Sequence, residues 1–369
     1  MHIPFVDLYA QYQNIKNEID DSIQSVIKDT AFIKGSFVEK FEDEYAKEYG
    51  IKHCIGVANG TDAIYIVLKC LGIGSGDEVI TVANSWISTS ETISQTGAKP
   101  VFIDIEADYY TIDPEKIEEK ITKNTKAIIP VHLYGQPAQL NSIKKLCEKH
   151  NLFLIEDCAQ SHFAKYNGNF VGTSGIASTF SFYPGKNLGA YGDAGAIITN
   201  DDDLAKKMRM YANHGALKKH HHEIEGINSR LDGLQAAILS TKLKYIHDWN
   251  KKRLENGLYY NKLLSGIIEI KTPKIRDNST HIFHVYSVRV DNRDSIIAHL
   301  KKNNIETAIH YPVALPFMNA YKYLNYTPKD FPIAFEYQSK ILSLPMYPEL
   351  SKVQIEYTVN KLKEAVLNS

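Results

Sequence analysis

The sequence predicts an α/β protein with a mostly parallel, seven-stranded sheet flanked by helices and a smaller C-terminal α/β domain. Three observations carry this. Seven short apolar or β-branched runs recur between Cys54 and Asn200, and longer amphipathic stretches separate several of them. That alternation is the signature of βαβ units. A long helical pattern without proline begins just past Arg230, and the chain of 369 residues exceeds the size at which one hydrophobic core keeps growing, so two lobes are expected.

Taken in order, CIGVAN is the first strand and GTDAIYIVLKCLG the helix after it. EVITVA precedes a Ser/Thr-rich segment, PVFIDI precedes the amphipathic stretch DPEKIEEKI, and AIIPVH precedes NSIKKLCEKHN. LFLIED, ASTFSF and AGAIITN complete the seven. Runs this apolar on both faces belong in a sheet covered on both sides. DDDLAKKMRMYANHG opens on capping aspartates and closes on Gly215, as a helix leading off the sheet would. LDGLQAAILSTKLKYIHDWNKKRLENGLYYNKLL reads as the helical link between lobes, HIFHVYSVRV as a strand, and DSIIAHLKKNN and VQIEYTVNKLKEAVLN as helices of the small lobe. The expected division is 1–245, including the N-terminal segment, and 246–369.

Composition excludes several functions. With 42 Lys+Arg against 43 Asp+Glu there is no positive field to drive nucleic-acid binding through counterion release. No run approaches the roughly 18 apolar residues of a membrane span, and MHIPFVDLYA lacks the basic and apolar regions of a secretion signal, so a cytoplasmic location is expected. Cys54, Cys70, Cys147 and Cys158 form no CxxC pair, and His220, His221 and His222 sit in a polar stretch with no second ligand cluster. No metal is expected.

Three constellations carry chemistry. Asn59-Gly60-Thr61-Asp62 lies where a strand gives way to a helix, so free helix N–H groups and the Thr61 hydroxyl form an anion site. LFLIEDCAQS delivers Glu156, Asp157 and Gln160 to the carboxyl edge of the sheet, where ligands bind in open α/β folds. In STFSFYPGKNLGAYGDAGA, Lys186 stands in a glycine-rich turn between two strands. A phosphate cradle, a carboxylate able to keep a pyridine nitrogen protonated, and an amine able to form a Schiff base are together the components of a pyridoxal-phosphate site.

Across nearly its whole length the chain resembles the fold-type I aminotransferases of the DegT/DnrJ/EryC1/StrS group, which act on nucleotide-linked keto sugars. The resemblance runs through PFVDLYAQY, FIKGSFVEKFEDEYA, VANGTDAI, PVHLYGQPA, IEDCAQSH, SFYPGKNLGAYGDAGA, GINSRLDGLQAA, HYPVAL and LSLPMYP. It implies that Lys186 bonds covalently to pyridoxal 5'-phosphate and that Asp157 pairs with the pyridinium nitrogen. It further implies that Gln160 contacts the phenolic oxygen, that Trp86 stacks on the ring, and that Gly60, Thr61 and Ser181 hold the phosphate. Asn228 would join them from the neighbouring subunit of a homodimer. Two departures stand out: Pro316 replaces a histidine common after HYPVAL, so the sugar or nucleotide contacts of that loop would differ, and His162 and Phe163 replace smaller residues, which would reshape the floor of the sugar pocket.

Within the group, members that aminate carbon 3 resemble the run Asn187 to Asp193 seen here. The resemblance therefore implies transfer from L-glutamate to a dTDP-linked 3-keto-6-deoxyhexose, yielding a 3-amino-3,6-dideoxyhexose for surface glycans such as lipopolysaccharide. The rival readings are a UDP-linked 3-keto uronic acid, whose carboxylate Arg230 would meet, and a noncatalytic sensor that binds the cofactor. A dehydratase of the same group would carry His in place of Lys186.

Overall fold

The computed structural model describes residues 1–367. Seven strands, β1 (His53–Val57), β2 (Glu78–Val82), β3 (Lys99–Ile103), β4 (Thr125–Ile129), β5 (Phe153–Asp157), β6 (Ala177–Ser181) and β7 (Gly195–Thr199), form one sheet in the order β1-β7-β6-β5-β4-β2-β3. All run parallel except β7, which pairs antiparallel with both β1 and β6. The reason is the connection. Only a compact loop joins β6 to β7, too tight for a crossover helix, so the chain must return antiparallel. That loop carries Lys186.

Successive strand residues point to opposite faces. On one face Ile55, Val79, Ile129, Ile155 and Ile197 pack beneath helices Gly60–Cys70 and Asp202–Tyr211. On the other, Cys54, Phe180 and Ile198 meet helices Ser36–Tyr49 and Gly233–Leu243 through Phe41, Tyr45, Ala236 and Leu239.

Three local expectations change. The stretch DPEKIEEKI forms only two single 3₁₀ turns, Pro114–Lys116 and Glu118–Lys120. The long link is two helices, Gly233–Leu243 and Ile246–Leu264, divided at Lys244-Tyr245, where the Tyr245 ring stacks on Trp249. The break lets the first helix pack on Lys16–Asp29 and Ser36–Tyr49 while the second turns to the C-terminal helix Lys352–Leu367. Helices Leu8–Asn14, Lys16–Asp29 and Ser36–Tyr49 precede the first strand and had no counterpart in the strand-centred pattern.

The smaller unit pairs β8 (Tyr286–Arg289) with β9 (Ile341–Leu344) antiparallel beside helices Arg293–Lys302 and Lys352–Leu367. The opening residues join this unit rather than the large sheet. Ile3 bridges Ile305 and is fully buried among Tyr260, Tyr286 and Leu300.

Candidate active site

The carboxyl ends of β1, β5 and β6 converge, and each supplies one component. After β1, Asn59 caps helix Gly60–Cys70 by accepting from Asp62 N–H at 2.8 Å. Among the described residues the N–H groups of Gly60 and Thr61 find no hydrogen-bond acceptor. They stay available at the positive end of the helix. Gly60 is required by a close approach: a Cβ there would lie 2.7 Å from Ser181 Cβ at the end of β6. The hydroxyls of Thr61 and Ser88 lie 2.7 Å apart.

At the end of β5, Asp157 is buried, yet both its oxygens are held. Thr89 Oγ1 donates to Oδ2 at 2.8 Å and Ala159 N–H to Oδ1 at 3.1 Å. Burial nevertheless pushes its pKa up, against these donors and the positive charge of Lys186. Lys186 is held in its turn by its N–H to Tyr183 O at 2.8 Å. Burial lowers its amine from 10.5 to about 8, with Asp157 opposing the shift. An amine so poised is a nucleophile near neutral pH.

Gln160 accepts from Tyr134 N–H and donates to Tyr311 OH at 3.0 Å, which leaves one of its amide protons. Tyr311 lies against Trp86, a residue 59% exposed. Asn228 adjoins Ser229, whose Oγ accepts from Ala58 N–H at 3.1 Å just before Gly60. It is exposed, its backbone bridges Asn213, and among the described residues its side chain has no hydrogen bond.

One sequence expectation is corrected. His162 and Phe163 form no pocket floor, being sealed in the core with Tyr45, Tyr49 and Phe180. His162 donates from Nε2 to Ser181 O at 2.9 Å and accepts from Tyr45 OH at 2.9 Å, so it braces β6 from behind. Pro316, the other departure, is buried in a 3₁₀ turn, Leu315–Phe317, pinned by Leu315 N–H to Ala83 O at 2.8 Å.

His132, Glu156 and Cys158 cluster closely enough to suggest a metal site. Their hydrogen bonds say otherwise. Ala138 N–H donates to His132 Nδ1, so Nε2 bears the proton and donates to Glu156 Oε2 at 3.0 Å. Glu156 also accepts from Gly172, Ser174 and Gly175 N–H at 2.7 to 2.9 Å. Burial would raise this carboxyl, but His132 and the backbone donors bring it below its ordinary value. It is a structural cap with no free lone pair to spare.

The DegT/DnrJ/EryC1/StrS aminotransferase family model matches residues 13–363. The chain belongs to this family. A pleiotropic regulatory protein of Geobacillus stearothermophilus is 44% identical over 99% of this chain and 98% of its own. The dTDP-3-amino-3,6-dideoxy-alpha-D-galactopyranose transaminase of Aneurinibacillus thermoaerophilus is 44% identical over 97% of this chain and 98% of its own. The UDP-2-acetamido-2-deoxy-3-oxo-D-glucuronate aminotransferase of Pseudomonas aeruginosa is 42% identical, covering 96% and 98%. The crystal structure of S. venezuelae DesV in complex with a ketimine intermediate superposes with TM-score 0.96 at 38% identity, covering 98% of both chains. The fold is therefore that of the fold-type I sugar aminotransferases.

As a DegT/DnrJ/EryC1/StrS aminotransferase, the protein is a transaminase that uses pyridoxal 5'-phosphate. Its own residues fit that group: unbonded N–H donors at a helix N-terminus abut Ser181, a buried carboxylate lies at the end of β5, and the Lys186 amine is lowered toward neutrality. Among the described residues no helix is long and apolar enough to cross a membrane. Sequence reasoning missed His284, Asn250 and Tyr311 near this site. The signal for His284 was a polar residue inside the apolar run HIFHVYSV.

Proposed function

We propose that this family member transfers an amino group from L-glutamate to carbon 3 of a dTDP-linked 3-keto-6-deoxyhexose, giving a dTDP-3-amino-3,6-dideoxyhexose. The observation that carries the reading is the match along 97% of the chain to a transaminase named for a dTDP-3-amino-3,6-dideoxy sugar. The run Asn187 to Asp193, which resembles that of carbon-3 enzymes, supports it.

In this reading Gly60, Thr61 and Ser181 hold the cofactor phosphate, since unpaired N–H donors at a helix N-terminus favour an anion. Asp157 keeps the pyridine nitrogen protonated, Gln160 offers its remaining amide proton to the phenolic oxygen, and Trp86 lies on the ring face. Once bound, the cofactor supplies the electron sink for transamination. Lys186 bonds to it and, when released, moves the proton at the substrate carbon. Asn228 completes the phosphate site of a second subunit in a homodimer. Its exposed, unbonded side chain supports that role, as do exposed Phe32 and Ile33 beside Asp232.

A UDP-linked 3-keto uronic acid is favoured by one feature. Among the described residues Arg230 has no hydrogen bond or ion pair, and after burial its charge lowers the pKa of Lys34, so two cations stand together. Supplying glutamate with each 3-keto sugar and with the 4-keto isomer of the dTDP sugar, and identifying products by NMR, tests the assignment. The dTDP-3-keto sugar should convert fastest, because moving the ketone by one ring position misplaces the reacting carbon by more than about 1 Å and costs on the order of a hundredfold. Faster conversion of the uronic acid or the 4-keto sugar overturns the substrate; turnover of none of them supports a sensor.

A further inference from the structure

We propose that His284 is a positioning residue for Lys186: its Nδ1–H is anchored on Asn187, and its unengaged Nε2 lone pair serves as a hydrogen-bond acceptor for the lysine nitrogen. The proposal rests on Lys186 being the amine that bonds to the cofactor.

The tautomer follows from Asn187, the residue next to the lysine. Its Nδ2 donates to Asn250 Oδ1 at 2.8 Å and to Ile282 O at 3.2 Å, which fixes the orientation of the amide. Its Oδ1 must then accept, so His284 Nδ1 donates across 3.1 Å and Nε2 carries the lone pair. The backbone of His284 is equally fixed. Its N–H donates to Tyr134 O at 2.8 Å, and its carbonyl accepts from Arg253 Nη1 at 3.4 Å. Gly135 makes this approach possible, since a Cβ there would stand 2.6 Å from Ile282 Cγ1.

The second nitrogen is unengaged. From His281 to Val288 every residue but His284 is buried, and among the described residues its Nε2 has no hydrogen-bond partner while not being enclosed. The groups around it leave it an acceptor. Burial first, then the charge of Lys186, then Arg253, His310 and His162, hold its imidazole well below the ordinary range. His162 and His310, themselves lowered to about 3 and about 4 chiefly by burial, are neutral companions. His162 has both nitrogens bonded, and His310 uses Nδ1 on Ser343. Of the three, His284 has a fixed backbone, a fixed tautomer and a direct link to the residue following Lys186.

The anchor and the acceptor are separable. His284→Asn keeps a donor near the Nδ1 position and removes the acceptor, whereas His284→Gln places an amide near Nε2 and loses the Asn187 bond. The readout is the pH titration of the visible absorption band of the bound cofactor in the holoenzyme. H284N should lower the midpoint by about half a pH unit, because an acceptor favours the protonated nitrogen, and H284Q should hold it near the wild-type value. An unmoved midpoint in H284N, or an equal fall in both variants, overturns the proposal. Side-chain ¹⁵N shifts of the wild type should show His284 protonated at Nδ1 and bare at Nε2; the opposite tautomer also overturns it. Borohydride reduction followed by peptide mapping checks the underlying reading separately, since cofactor mass on a lysine other than Lys186 refutes that reading alone.

Discussion

Replacing Asp157 by Asn should speed one property of Lys186 and abolish another. The lysine amine titrates at about 8 because burial outweighs the opposing charge of Asp157. At pH 7 an amine of that pKa is neutral in about one molecule in ten, against about one in three thousand for an ordinary lysine, roughly 300-fold more nucleophile. Removing the carboxylate charge removes what opposes the shift, so the midpoint must fall. A fall to about 7 would leave half the amines neutral at pH 7, about fivefold more than in the wild type. The substitution is geometrically mild. The new amide oxygen can keep the Ala159 N–H bond, and the Thr89 hydroxyl can turn to accept from the amide nitrogen. Trace acetylation of cofactor-free protein between pH 6 and 9, read by mass spectrometry on the Lys186 peptide, gives the midpoint, and glutamate-dependent turnover of the reloaded enzyme gives the catalytic effect. Labelling should rise at pH 7 while turnover drops by about a hundredfold or more, because the pyridine nitrogen loses its charge partner. A midpoint at or above 8, or unchanged turnover, refutes the reasoning.

Gly60→Ala should weaken cofactor binding by about ten- to a hundredfold, the scale of overpacking a tight contact, because the new methyl would lie 2.7 Å from Ser181 Cβ; equal dissociation constants by equilibrium dialysis would refute the phosphate cradle. Lys242 is fully buried, donates to Gly189 O at 2.7 Å behind the lysine loop, and is lowered to about 7 by burial against the pull of Glu349. Its folded pKa lies below its unfolded value, so between pH 7 and about 10 the unfolded chain holds a proton that the folded chain has released, and stability rises with pH by up to about 1.4 kcal/mol per unit. Urea unfolding at pH 7, 8 and 9 should therefore show the wild type gaining on Lys242→Met as pH rises, and a constant difference would show that Lys242 stays protonated.

What the sequence determined by itself was local. Seven strands were legible because each is a short apolar run with turn or capping residues beside it, and strands buried on both faces need no distant information to be recognised. Gly60, Asp157 and Lys186 were legible for a related reason: Gly60 opens a helix at a strand-helix junction, Asp157 ends a strand, and Lys186 stands in a glycine-rich turn between two strands, positions set by short-range chemistry. Only tertiary structure decided the rest. The break at Lys244-Tyr245 has no proline or glycine to announce it and depends on which neighbours each half finds to pack against. His162 read as a pocket residue because it follows Gln160 closely, yet backbone direction after β5 turns it inward to Ser181 and Tyr45. His284 and Asn250 lie 97 and 63 positions from Asn187. Hydrogen bonds across such separations obey no sequence period; they form because the antiparallel return of β7 folds the lysine loop against the helix Ile246–Leu264 and the segment leading into β8, and only that closure brings the donors and acceptors within 3.1 Å.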